Sequence, residues 1–234
     1  MHFDFAGYTD PGKRENNEDC FRTEVHDGKL LTVVADGLGG HANGEVASKI
    51  AVDSIFARLS QQPEADEEEL IYALLDANSQ ILSANIHGHS TAAALWLQES
   101  YGVAVHVGDS RIYHFRDNAI RFQSVDHSHV QMAVLVGELE LRDVRHHKDR
   151  NRLFRVLGDP EAVPRVDSKE LRVQPGDRFL LCSDGFWEAV TEERMIDTLQ
   201  TSGSAGEWME AMKAIVLDAD YPNQDNHTAV CIFL

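Results

Sequence analysis

Three short apolar segments of this chain run straight into an aspartate. Residues 30–35 end at Asp36-Gly37, residues 102–107 at Gly108-Asp109, and residues 178–182 at Ser183-Asp184-Gly185. A fourth apolar segment, 228–234, is preceded by Asp225-Asn226. All four are rich in Val, Ile, Leu or Phe, the composition of buried strands. In an antiparallel sheet the end of one strand lies beside the start of its neighbour. Three acids at strand ends and one before a strand start can therefore converge on one edge. If they converge, a cation is required, because two unit charges 4 Å apart repel by roughly 4 kcal/mol at an effective dielectric of about 20. An all-oxygen cluster suits Mg²⁺ or Mn²⁺, whereas zinc asks for Cys or His. Gly37 permits a close backbone approach, so its carbonyl can join the set. A single Asp-Gly only marks a turn; the recurrence at strand ends carries the metal reading.

The remaining patterns predict what surrounds that edge. Weaker strand signals lie at 3–8, 92–98, 111–116, 120–124 and 168–173. Within 44–59, Val52, Ile55, Phe56 and Leu59 recur at i, i+3, i+4 and i+7. Residues 66–85 carry a second apolar stripe and open on a run of acids suited to a positive helix end. Further helices are expected from Thr191 onward and over 205–219, where Trp208, Met212 and Ile215 share a face. Strands joined by tight links, with helices in pairs, predict a largely antiparallel α+β fold rather than a βαβ alternation. The short link between 102–107 and 111–116 is expected to close a hairpin.

Charge and cysteine usage narrow the function. With 39 Asp+Glu against 21 Lys+Arg, the net charge of −18 argues against nucleic acid or an anionic membrane as a partner. No apolar run approaches the roughly 18 residues of a membrane span, and Met1-His2-Phe3-Asp4-Phe5 lacks a basic signal-peptide start. Cys20, Cys182 and Cys231 are odd in number and widely spaced, which excludes a disulfide framework and a CxxC zinc site. A reducing compartment, the cytoplasm, is expected. The 234 residues contain no linker-like stretch, so residues 1–234 are read as one domain and a monomer is expected.

A second polar cluster, Arg14-Glu15-Asn16-Asn17-Glu18-Asp19, has two readings. A helix would pair Arg14 with Glu18 at i, i+4. Alternatively, the Arg14 guanidinium binds an anionic oxygen while Glu18 and Asp19 hold water around a metal. In order along the chain, the motifs are Thr9-Asp10-Pro11-Gly12-Lys13-Arg14 with Asn17-Glu18-Asp19, Ala35-Asp36-Gly37-Leu38-Gly39-Gly40-His41 with Gly44-Glu45, Val107-Gly108-Asp109-Ser110-Arg111, Asp126-His127-Ser128, Arg150-Asn151, Leu181-Cys182-Ser183-Asp184-Gly185 and Asp225-Asn226-His227-Thr228. This set resembles the metal-dependent serine/threonine protein phosphatases of type 2C in their compact bacterial form.

The resemblance implies a four-layer α-β-β-α sandwich, with two central antiparallel sheets flanked by helices, and two or three Mn²⁺ or Mg²⁺ ions at one end. Carried over by position, Asp36 would bridge two ions, Asp184 and Asp225 would complete one, and the Gly37 carbonyl would bind the other. Glu18 and Asp19 would act through water, and Asp109 with Asp184 would form a third, weaker site. Arg14 would hold the substrate phosphate and His41 would protonate the leaving alkoxide. The implied reaction is hydrolysis of phosphoserine or phosphothreonine by a metal-activated water, on a protein phosphorylated by a serine/threonine kinase. His127 is read as a structural hydrogen-bonder.

Departures from the family pattern are His89-Ser90-Thr91, where Gly-Thr-Thr is usual, and Glu140-Leu141-Arg142-Asp143 in a flap-like segment at about 129–155. In that segment Arg142, Arg145, Lys148, Arg150 and Arg152 are expected to form a basic docking patch. A serine esterase built on Ser110 would leave Asp36, Asp184 and Asp225 idle. A dinucleotide loop at 37–42 lacks its βαβ unit. The alternative from another class is a catalytically inactive, phosphatase-like module that binds phosphoproteins.

Overall fold

A strand whose consecutive residues are all buried must be covered on both faces, and this requirement sets the layers. The computed structural model describes residues 2–39, 43–60, 62, 64–219 and 223–234. In chain order its elements are β1 (Asp4–Asp10), β2 (Asp19–His26), β3 (Lys29–Leu38), α1 (Asn43–Leu59), α2 (Glu67–Ala84), β4 (His89–Ser90), β5 (Ala92–Gln98), β6 (Tyr101–Val107), β7 (Arg111–Arg116), β8 (Ala119–Gln123), α3 (His129–Leu135), β9 (Asp167–Arg172), β10 (Arg178–Cys182), α4 (Asp184–Ala189), α5 (Glu192–Thr201), α6 (Ala205–Asp218) and β11 (His227–Phe233). A 3₁₀ turn over Leu141–His146 lies between α3 and β9.

Among the described residues these strands form two antiparallel sheets. One runs β1-β11-β10-β7-β8; the other runs β2-β3-β5-β6-β9, with β4 added to the end of β3. Period-two alternation then sorts each strand's side chains. In β3, Leu31, Val33 and Ala35 pack under α1 and α2, while Leu30 and Val34 face the other sheet. In β11, Ala229, Cys231 and Phe233 pack toward the helices α4 to α6, while Val230 and Ile232 face inward. The result is the four-layer α-β-β-α sandwich.

Helix ends follow the expected chemistry. Asp66 caps α2 by accepting from the Glu69 N–H at 2.9 Å, and Asn85 closes it in the left-handed region. Thr191 and Ser204 cap α5 and α6 in the same way. No helix among the described residues is long and apolar enough to cross a membrane.

One expectation fails. β6 and β7 do not form a hairpin: β6 pairs with β5 and β9, and β7 with β10 and β8. The link 108–110 instead carries the chain from one sheet to the other. Both strands are buried on both faces, so their apolar pattern does not specify pairing within one sheet. Gly108 makes the corner at φ +100°, against Thr91; a Cβ there would lie 2.5 Å from Thr91 Cγ2.

Candidate metal centre

The strand ends do converge. Asp19 and Asp36 are direct partners in the β2–β3 register. Asp109 sits in the sheet-to-sheet crossover, Asp184 is the first residue of α4, and Asp225 lies in the loop entering β11. Arg14, Glu18, Asp36, Gly37, Asp109, Asp184 and Asp225 line one cleft of about 180 Å³. Asp19 is buried behind it and accepts from the Ser183 hydroxyl at 2.6 Å. His41 lies outside the described residues.

Local bonding holds these groups in place. The Asp36 N–H donates to Thr91 Oγ1 at 2.9 Å, and the Thr91 N–H returns a bond to the Asp36 carbonyl at 2.8 Å. The Ser90 hydroxyl shares its one proton between the Thr91 carbonyl at 2.7 Å and the Asp36 carbonyl at 3.1 Å. The unusual His89-Ser90-Thr91 segment thus fixes the Asp36 peptide. A Cβ on Gly37 would collide with the Gly44 carbonyl, and one on Gly44 would lie 2.5 Å from Glu18 Oε2. The two glycines therefore let β3, the start of α1 and the Glu18 carboxylate close together. Asn226 accepts from the Glu18 N–H at 2.8 Å and donates to the Pro11 and Asn16 carbonyls, tying the N-terminal loop to the cleft. Thr91, Ser183 and Asn226 had no assigned role from sequence, although Ser183 and Asn226 stand beside acids that did.

Residues 12–16 are turns rather than a helix, so the i, i+4 pairing of Arg14 with Glu18 does not form. Arg14 Nη2 instead donates to Asp225 Oδ2 at 2.8 Å, with its guanidinium half-exposed on the cleft rim.

Electrostatics inside the cleft is adverse without a cation. Burial, then the charges of Asp19, Asp184, Asp109 and Asp225, hold the Asp36 carboxyl well above the usual carboxylate range. Burial, then Asp109, Glu188 and Asp225, does the same to Asp184. Asp109 is pushed up to about 7 by burial and by Asp126, against the pull of Arg111. Burial raises Asp19 to about 6, opposed by its bond from Ser183. Asp19 Oδ1 is buried with no hydrogen-bond partner among the described residues, and such an atom asks for a donor or an ion. The described residues of the cleft offer neither Cys nor His. Mutually repelling oxygens with an orphaned acceptor behind them fit a hard divalent cation.

The expected basic patch is corrected. Arg142 pairs with Glu140 at 2.7 Å, and Arg152 reaches Asp149 at 3.8 Å. Arg150 pairs with Glu188, and Arg145 is buried against Glu192 at 2.5 Å. Glu188 of α4 and Glu192 of α5, distant in sequence, take up Arg150 and Arg145, whereas Arg142, Lys148 and Arg152 stay exposed. Arg145 and Arg150 fasten the segment to the body of the protein, and the charge they were expected to present is spent on that contact.

The protein phosphatase 2C family profile matches residues 6–216. A serine/threonine phosphatase stp from Listeria welshimeri is 33% identical over 246 residues, covering 99% of this chain and 95% of that protein. The serine/threonine protein phosphatase PstP of Mycobacterium tuberculosis is 33% identical over 205 residues, covering 84% of this chain; the match spans only 38% of PstP. A crystal structure of the catalytic domain of serine threonine protein phosphatase PstP in complex with two manganese ions superposes with a TM-score of 0.83 at 29% identity, covering 99% of this chain and 97% of that one. With the profile spanning most of its length and the acids of its strand ends gathered in one cleft, the chain belongs to the protein phosphatase 2C family.

Proposed function

We propose that this protein is a Mn²⁺- or Mg²⁺-dependent phosphatase that hydrolyses phosphoserine and phosphothreonine on proteins. The observation that carries the reading is the convergence of Asp36, Asp109, Asp184 and Asp225 on one cleft with Arg14 at its rim. Family membership supports it, as do the two manganese ions in the PstP catalytic domain.

Asp36, Asp184, Asp225 and the Gly37 carbonyl would hold two ions, Glu18 and Asp19 would act through water, and Asp109 with Asp184 would hold a weaker third. When bound, the ions supply a water acidic enough to act as nucleophile near neutral pH and offset phosphoryl charge. Arg14 binds the phosphoryl oxygens, its guanidinium oriented by the bond to Asp225. Ser183 holds one oxygen of Asp19, which leaves Oδ1 for the centre. The proton for the departing alkoxide is assigned to His41 on its place in the motif alone. Residues 1–234 form the catalytic unit, with 129–155 as a flap. The reading includes a cytoplasmic monomer acting against a serine/threonine kinase, and the free thiols of Cys20, Cys182 and Cys231 accord with a reducing compartment.

The test is hydrolysis of a phosphothreonine peptide with Mn²⁺, with and without EDTA, beside Asp36→Asn. Turnover that needs the metal and disappears in the variant supports the reading. Metal binding without turnover on any phosphopeptide would mark a phosphoprotein-binding module instead.

A further inference from the structure

The crossover that delivers Asp109 to the cleft is gripped at two points by His127. The Gly108 N–H donates to His127 Nδ1 at 3.1 Å, and the His127 N–H donates to the Gly108 carbonyl at 2.9 Å. The imidazole is buried and stacks on His106, with ring centroids 4.7 Å apart and planes 18° apart. Its Nε2 stands 3.2 Å from Asp167 Oδ2, close but outside hydrogen-bond geometry. The His127 carbonyl accepts from the Phe154 N–H at 3.0 Å, and Ser128 bridges to Leu153. The corner is thereby joined to β9 on one side and to the 129–155 segment on the other.

His106, His127 and Asp167 place three ligand-type atoms within 4.8 Å of one another, so a separate metal site is the competing explanation. Tautomer chemistry opposes it. A neutral imidazole carries one N–H. Nδ1 of His127 accepts from Gly108, so its proton resides on Nε2, the atom facing Asp167. Coordination through Nε2 would move that proton to Nδ1, directly against the Gly108 N–H. His106 Nε2 is already engaged at 2.9 Å by the Val125 carbonyl. Burial, reinforced by His106, lowers His127 to about 4, so the ring stays neutral through the physiological range.

We propose that His127 is a positioning residue for Asp109: locked with its proton on Nε2, it clamps both sides of Gly108 and so sets where the Asp109 carboxylate meets a cation in the cleft. The proposal rests on the reading of Asp109 as a metal ligand. It differs from a general packing role because it depends on one lone pair, which asparagine can replace. Asn Oδ1 occupies the position of His Nδ1 and accepts the same bond; leucine fills the space and accepts nothing.

Mn²⁺ isotherms on the wild type, Asp109→Asn, His127→Leu and His127→Asn test this. Asp109→Asn should abolish the weakest binding step. His127→Leu should weaken that step by about 10-fold or more, the usual effect of losing a group that orients a ligand, and His127→Asn should restore it. The tighter steps report that each variant is folded. A weak step lost in Asp109→Asn but unchanged in His127→Leu overturns the positioning role and leaves the ligand reading standing. A weak step that survives Asp109→Asn overturns both. If His127→Leu does not fold, ¹⁵N spectra of the wild-type protein decide: an Nε2–H signal for His127 supports the clamp. An Nδ1–H form, or His127 resonances displaced by stoichiometric Zn²⁺ binding at the cluster, refutes it.

Discussion

Replacing Asp109 with asparagine should stabilise the metal-free protein, by an amount that grows with pH. Asp109 titrates at about 7 in the folded state against an ordinary 3.8. Between those values the folded chain keeps a proton that the unfolded chain has released. Each pH unit in that window therefore lowers wild-type stability by about 1.4 kcal/mol. Over the roughly three units of the shift the loss is on the order of 4 kcal/mol, complete above pH 7. Asp184, raised in part by Asp109, adds to the same slope. Asparagine does not titrate, so the variant escapes the loss. Comparing the two proteins also cancels the buried His106, His114, His127 and His227, whose lowered pKa values act in the opposite direction below pH 6.5. The assay is thermal unfolding of both proteins in EDTA from pH 4.5 to 8. At about 2–4 °C per kcal/mol for a chain of this size, the Tm gap should widen in favour of the variant by roughly 10 °C. Excess Mn²⁺ should shrink or reverse the gap, because the wild type binds more of it. A gap that does not change with pH refutes the electrostatic account of the cleft.

Gly37→Ala drives a methyl group into the Gly44 carbonyl; overpacking of this kind costs about 1–3 kcal/mol, and urea unfolding together with Mn²⁺ calorimetry should show both stability and affinity falling. Arg111→Met strands the buried Asp126 carboxylate, which Arg111 holds through two bonds of 2.8 and 2.7 Å. Equilibrium unfolding should register a loss of about 3–5 kcal/mol, partly recovered when Asp126→Leu is added. Arg14→Ala should raise KM for a phosphopeptide while leaving the Mn²⁺ isotherm nearly unchanged; an equal loss in both would move Arg14 from phosphate binding to support of Asp225.

The strand ends were legible because burial on both faces writes continuous apolar runs, and each run stops where the chain reaches the polar cleft. β10 at Arg178–Cys182 and β5 at Ala92–Gln98 were read to the residue. β2 was not read, because as an edge strand it exposes Arg22, Glu24, Val25 and His26 and shows no apolar run. α4 was missed because six residues are too few for a helical stripe, and the Ser183-Asp184-Gly185 turn masked its start. The assignment of β6 and β7 to different sheets depends on partners distant in sequence, which local spacing does not encode. The same limit applies to Arg145 and Arg150: their partners Glu192 and Glu188 lie about 40 residues further along the chain. Asp36, Asp109, Asp184 and Asp225 were found by their positions at strand ends or just before a strand; Thr91, Ser183 and Asn226 became visible only through their bonds, and His127, legible as a structural hydrogen-bonder, found its partner Gly108 only there.

Mn²⁺ anomalous scattering from crystals grown with the metal tests the central claim most directly. The account predicts at least two peaks in the cleft, about 3.5–4 Å apart, both against Asp36 and with Asp184 and Asp225 on one of them. No peak at Asp36, or a single peak among His106, His127 and Asp167, would contradict it.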